Sequence, residues 1–108
     1  MSLKLYLTKN SLVKIEFLDL AKQEFDNAIA YYENESKGLG LRFKKEIRSS
    51  IENILNFPTL YPIFMNNIRK CVAHTFPYTV FYTIIDETIY IYAIANHHKE
   101  LSSYTKRF

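Results

Sequence analysis

The stretch YTVFYTIIDETIYIYAIAN, residues 78–96, decides the fold. Tyr78 to Ile85 and Thr88 to Asn96 consist largely of β-branched and aromatic residues, which suit a pleated, half-buried surface. Asp86-Glu87 between them makes a short turn, so the two runs read as an antiparallel hairpin. Upstream, Ile68 to Thr75 alternates apolar with polar side chains and adds a third strand, giving a three-strand antiparallel meander. Successive strand residues face opposite ways, which sets Ile89, Ile91 and Ala93 on one side and Tyr90, Tyr92 and Ile94 on the other. Both sides are apolar. If helices cover only one of them, the other is either an exposed aromatic surface for a partner or a second layer of cross-strand packing. The residues alone leave both open.

The helices lie further out along the chain. From Asp19, read as an N-cap, apolar residues recur at Ala21, Phe25, Ala28, Ile29 and Tyr32, while Lys22, Glu24, Asp26 and Glu33 point elsewhere. Gly38 and Gly40 interrupt this pattern, and a second one runs through Leu39, Phe43, Ile47, Ile51, Ile54 and Leu55 until Pro58 forbids its continuation. Two amphipathic helices joined by a tight Gly turn form a hairpin. Thr59 to Asn67 has no sustained period and reads as a crossing loop. Leu3 to Leu7 and Val13 to Phe17 alternate around turn-forming residues Thr8 to Ser11, so one N-terminal strand is expected and a second is left open. His97 to Phe108 loses the apolar period and reads as a basic tail. The fold class is therefore α+β: an N-terminal strand and a helical hairpin packed on one face of an antiparallel β-sheet, within one domain spanning residues 1–108.

Composition narrows the function classes. With 108 residues, 48% hydrophobic content and 23% charged, the chain can bury a core without metal or disulfide staples. Cys71 has no companion cysteine, which excludes a disulfide framework and fits a reducing, cytoplasmic setting. No apolar run is long enough for a membrane span, and the N-terminus lacks the pattern of a secretory signal. A net charge of +3 is mild, but its distribution is uneven: Lys37, Arg42, Lys44, Lys45 and Arg48 cluster on the second helix. That run is read first as a solvated helix face and second as a phosphate-binding one. With both glycines in the helix connection, a Gly-rich phosphate cradle or nucleotide fingerprint has no place, and no cofactor is expected. No metal is expected either: Cys71 and His74 diverge on a strand, as do the adjacent His97 and His98. Asp86 and Glu87 are turn residues rather than a catalytic carboxylate pair.

Four stretches resemble the RelE/ParE superfamily of toxins from bacterial type II toxin–antitoxin systems, also known as plasmid stabilisation proteins. They are Tyr31-Tyr32 before Gly38-Leu39-Gly40 and Phe43; Pro58-Thr59-Leu60-Tyr61-Pro62 before Ile68-Arg69; Phe76-Pro77-Tyr78 running into Phe81-Tyr82; and Ala93-Ile94-Ala95 leading to His97, Lys99, Tyr104 and Arg107. The similarity covers residues 12 to 108 and leaves residues 1 to 11 outside. It implies a RelE/ParE-like fold and a toxin neutralised by a cognate antitoxin, present as a homodimer or within a toxin–antitoxin hetero-oligomer.

The superfamily divides by target, and the residues are weighed accordingly. Its RNase branch resembles ribosome-dependent mRNA interferases and needs a base, an acid and cations facing the phosphorane. The ParE branch resembles non-enzymatic poisons of DNA gyrase. Here Thr79 stands where the RNase branch tends to carry an Arg, and no cation appears from Val72 to Ile94. The resemblance therefore points to a ParE-like gyrase inhibitor that binds rather than catalyses. The alternatives are an endoribonuclease acting on mRNA at the ribosome and a degenerate relative that binds RNA or protein. The target-binding candidates are Arg69, Lys99, Lys106 and Arg107, which converge if the tail folds over the sheet; Arg69 is read equally as a partner for a carboxylate within the fold. If there is chemistry, Arg69 and Lys99 hold phosphate, His97 or His98 moves a proton and Tyr104 positions the substrate base, although a structural His at a strand end is the commoner case. Tyr104→Ala together with Arg107→Ala is expected to abolish toxicity while leaving the thermal midpoint nearly unchanged.

Overall fold

The computed structural model describes residues 3–7, 12–99 and 102–108, with side chains from 14 to 99 and from 104 to 108. It is an α+β fold with element order β1 (Leu3–Leu7), β2 (Leu12–Phe17), α1 (Asp19–Glu35), α2 (Leu39–Asn56), β3 (Ile63–Met65), β4 (Ile68–Val72), β5 (Tyr78–Ile85), β6 (Thr88–Asn96) and α3 (Ser102–Thr105). The strands form one sheet in the order β1-β2-β6-β5-β4-β3. β2 runs parallel to β6, with Lys14 opposite Thr88 and Phe17 opposite Ile91, and every other pairing is antiparallel. Both N-terminal strands therefore form. The Thr8 to Ser11 turn and residues 100 and 101 of the tail lie outside the described residues.

α1 begins one residue earlier than its sequence suggests. Leu18, not Asp19, is the N-cap, and it makes no side-chain capping bond. The Leu18 N–H donates to Ile91 O at 3.0 Å, which holds that residue extended as the chain leaves β2. Asp19 falls in the first turn, where its charge complements the helix dipole. The turn into α2 needs both glycines. Gly38 sits at φ 87°, a left-handed conformation, and the Glu33 carboxylate accepts from the N–H groups of Gly38 and Gly40 at 3.0 and 3.1 Å. At the far end of α2, Pro58 stops the helix and its carbonyl accepts from the buried Tyr82 hydroxyl at 2.7 Å. Burial raises the Tyr82 pKa to about 12, with the nearby Arg69 working the other way.

The meander has four strands rather than three. Ile63–Met65, read from sequence as part of a loop, pairs with β4 through a hairpin whose turn residues Asn66 and Asn67 both have positive φ, 47° and 65°. That is the backbone twist two-residue hairpins prefer. Three residues after a proline are too few to show a period. A second correction concerns the last strand. Phe81 faces Ala93 but Tyr82 faces Ile91, so Tyr92 is an extra residue in β6. From there the faces exchange: Ile89, Ile91 and Ile94 join the helix side, while Ala93 and Ala95 turn to the other.

The main core lies between the helices and the sheet. Phe43, Ile47 and Ile54 from α2 and Val80, Tyr82, Ile89 and Ile91 from the sheet are fully buried there. Burial of each such side chain is worth about 1.5–3 kcal/mol. The opposite face is not left open. Ile68, Phe81, Ala93, Ala95 and Tyr104 form a second cluster, flanked by Phe64, Tyr92 and Phe108. The C-terminal segment, expected as a basic tail, folds back and supplies two of its rings because Tyr104 and Phe108 carry enough apolar surface to hold it there.

Candidate functional site

The strongest concentration of candidate residues is at the C-terminal end of β6 and the segment after it. Asn96 organises it. Its N–H donates to the Tyr104 hydroxyl at 3.3 Å, its Nδ2 donates to the Tyr78 hydroxyl at 3.2 Å, and its carbonyl and Oδ1 accept from Lys99 N and His98 N. Tyr78 is in turn hydrogen-bonded to Tyr32 on α1. The His97 N–H donates to Pro77 O at 2.8 Å, and its Nε2 lies 2.8 Å from Thr79 Oγ1. This web sends the His97, His98 and Lys99 side chains outward into solvent.

Tyr104 is placed differently. It is only 4% exposed, and burial raises its hydroxyl above the ordinary tyrosine value, with the Asn96 N–H opposing the shift. At neutral pH it is a protonated group in the second cluster, so Tyr104→Ala would remove core as well as a hydroxyl. Against the expectation that Tyr104→Ala with Arg107→Ala leaves the thermal midpoint nearly unchanged, the structure sets Tyr104 in the second cluster and pairs Arg107 with Glu24.

The guanidinium groups of Arg69 and Arg107 are engaged inside the molecule. Arg107 Nη1 donates to Glu24 Oε2 at 2.7 Å and Nη2 to Tyr92 O at 2.7 Å, and the group stacks 5.9 Å from the Tyr104 ring centroid. Arg69 Nη1 donates to Tyr61 O at 2.6 Å and Thr59 O at 3.2 Å, tying β4 to the loop after α2. Carbonyls rather than a carboxylate are its partners. Arg69 and Arg107 sit on either side of β5 with separate partners, while Lys99 and Lys106 are exposed. Arg107 lies against the Tyr104 ring, but Arg69 has its own partners and does not join it, so the two guanidiniums do not form the shared patch expected from sequence.

Sequence reasoning missed Glu24, whose Oε1 also accepts from Ile94 N at 3.1 Å. Its only signal is its place on α1. It missed Glu46 as well, which accepts from Thr75 N at 3.0 Å and Phe76 N at 2.9 Å and so caps the loop before β5. Burial alone would raise the Glu46 carboxyl, but the donors from Phe76 and Thr75, with His74 nearby, hold it below the usual glutamate range. A depressed folded-state value contributes stability above the unfolded pKa, and this is lost as pH falls through the folded one. Glu46→Gln is therefore expected to lose less thermal midpoint than the parent chain between pH 7 and pH 3. Equal losses in a pH series of melting curves would refute it.

A groove of about 590 Å³ runs between the helices and β2. Ile15, Phe17, Phe25, Ile29 and Ile51 line it, and Lys22, Asp26, Lys44, Lys45, Arg48 and Glu52 rim it. Lys22 is paired with Asp26 at 3.6 Å, so the cationic excess comes from the α2 rim. The basic run seen in the sequence thus borders an apolar floor. Buried Cys71 lies on the helix side of β4, its thiol pushed up by burial, whereas His74 is exposed in the loop that follows.

The fold is thus a helical hairpin over one face of a meander, with a strand from before the helices parallel to the last strand. A chain of the chromosomal ParDE toxin–antitoxin system of P. aeruginosa shares it, with a TM-score of 0.56 at 12% identity over 76% of this chain and 92% of that one. Residues 15–101 match the family model of the ParE toxin of the type II toxin–antitoxin system parDE, and the chain belongs to that family. No curated protein matches the sequence. β1 lies before the family match. Among the described residues no helix is long and apolar enough to cross a membrane.

Proposed function

We propose that this chain is the toxin of a cytoplasmic toxin–antitoxin pair, a single domain that arrests growth by binding a macromolecular target such as DNA gyrase, without catalysing a reaction. One observation carries the choice of binding over catalysis. Phosphodiester cleavage requires a base, an acid and cations facing the phosphorane, and here both candidate guanidiniums are committed to internal carbonyls and to Glu24, while the Tyr104 hydroxyl is buried. Target contact then falls to the outward His97, His98, Lys99 and Lys106. The groove between helices and sheet supports an antitoxin partner, because its apolar floor and cationic rim complement an amphipathic segment with an acidic face that folds as it binds.

A second reading, a ribosome-dependent mRNA endoribonuclease, draws on the exposed His97 imidazole beside Thr79. Induction without the antitoxin separates the two. The expected result is loss of viable cells with DNA breaks and inhibited supercoiling by purified gyrase, while transcripts stay intact. Rapid transcript cleavage at ribosomes with undamaged DNA would replace the first reading by the second, and unimpaired growth would refute both.

A further inference from the structure

The last part of β6 pairs with β5 on one side and, among the described residues, with no strand on the other. β2 accompanies β6 only as far as Phe17 opposite Ile91, after which the chain turns into α1. The bulge at Tyr92 then turns the Ile94 and Asn96 amides outward, away from β5. An edge of this kind leaves backbone donors and acceptors that must be satisfied or will recruit another chain. Each of the groups in question has a side-chain partner. Tyr92 O accepts from Arg107 Nη2 at 2.7 Å, Ile94 N donates to Glu24 Oε1 at 3.1 Å, and Asn96 N donates to the Tyr104 hydroxyl at 3.3 Å. Two of these three partners belong to the segment after β6, and the third, Glu24, is joined to that segment by the Arg107 ion pair.

The same segment covers the adjoining sheet face. The Phe108 ring lies 5.0 Å from Phe81, 6.0 Å from Tyr92 and 6.2 Å from Phe64, and its carbonyl accepts from Asn66 Nδ2 at 3.4 Å. Tyr104 lies over Ala93 and Ala95 in the same cluster.

We propose that residues 104–108 form a strap that stands in for a missing strand along the second half of β6, with the Glu24–Arg107 ion pair as its catch. The catch joins the strap to α1, an element otherwise on the opposite side of the sheet. Its two charged side chains are 23% and 21% exposed, and a depression of about 360 Å³ lined by Leu18, Asp19, Leu20, Tyr92 and Arg107 lies beside it. Removing one partner of a part-buried pair leaves the other desolvated and unpaired, so the catch is a single point at which the strap opens. What it covers is an edge with two N–H donors and one acceptor beside an apolar face, the features used by an added extended strand.

Amide hydrogen exchange and binding of a fluorescent apolar dye test this on the full chain. Arg107→Gln is expected to speed exchange of the Asn96 amide at least tenfold and to raise dye fluorescence, while the Ile51 and Ile54 amides of α2 keep their rates. Asn96 bonds to Tyr104 and not to Arg107, so acceleration there reports opening of the strap rather than loss of a direct partner. Tyr104→Phe, which keeps the ring, is expected to accelerate Asn96 alone without raising dye binding. An unchanged Asn96 rate in Arg107→Gln, a uniform rise across α2, or dye binding by Tyr104→Phe equal to that of Arg107→Gln would each overturn the proposal.

Discussion

Phe43→Ala is expected to cost about 3–5 kcal/mol, the range for removing a buried aromatic ring from a core. Domains of this size are stable by about 5–15 kcal/mol in total, so the variant sits near its unfolding midpoint in mild denaturant. Phe43 has no exposed surface, and its ring contacts Tyr78 at 4.8 Å, Tyr32 at 5.1 Å, Phe76 at 5.2 Å and Phe25 at 6.0 Å between centroids. These neighbours come from α1, from β5 and from the loop before it, so the cavity left by Ala has walls on three elements that cannot close together. Urea unfolding of the purified chain is the measurement. A midpoint shift equivalent to under about 1 kcal/mol would mean that the aromatic cluster repacks freely and is not the centre of the fold. In cells the same variant is expected to lose toxicity through low abundance rather than through a missing contact with its target.

Gly40→Ala tests a different link, the close approach of the two helices. Ala is favoured over Gly by about 1 kcal/mol in a helix interior, an upper bound for Gly40 in the first turn of α2, so propensity alone predicts stabilisation. A Cβ at position 40, however, would lie 2.6 Å from Ile29 O and 2.9 Å from Glu33 Cβ. The first of these is a backbone carbonyl inside α1 and cannot step aside without moving the helix. Overpacking of this kind costs about 1–3 kcal/mol, which cancels or outweighs the propensity gain and leaves a net loss of up to about 2 kcal/mol. The sign is the test: a variant more stable than the parent in thermal unfolding would show that the helices separate easily. Gly38 is the contrast. A side chain there meets nothing within 4 Å, but φ +87° strains any L residue, so its penalty comes from the backbone and not from packing.

The helical hairpin and the meander were legible because each rests on a local, repeating signal. Apolar residues at helical spacing from Ala21 to Tyr32 and from Leu39 to Leu55, ended by Gly38 and Pro58, specify two helices wherever they pack. The β-branched and aromatic runs around Asp86-Glu87 specify a hairpin in the same way. Their order along the chain carried the family resemblance, which the match over residues 15–101 supports. β3 and the bulge at Tyr92 were not legible. A three-residue strand has no period to read, and one inserted residue leaves the local pattern apolar while exchanging its faces.

The candidate site divides along the same line. Residue type and position were enough to single out Arg69, His97, Tyr104 and Arg107, since cations, an imidazole and a phenol are visible as letters. What each does depends on groups distant in sequence: Arg107 on Glu24, 83 residues earlier, Asn96 on Tyr104 and Tyr78, and Arg69 on two carbonyls of a loop with no pattern. The sequence by itself determined the secondary elements, the α+β class and the toxin family, because those follow from short-range stereochemistry and from hydrophobic spacing. Only the tertiary structure decided that the second sheet face is partly closed by the chain's own end and that two of its cations are internal struts. A guanidinium takes whichever acceptors the fold brings within about 3 Å, and no local signal states which those will be.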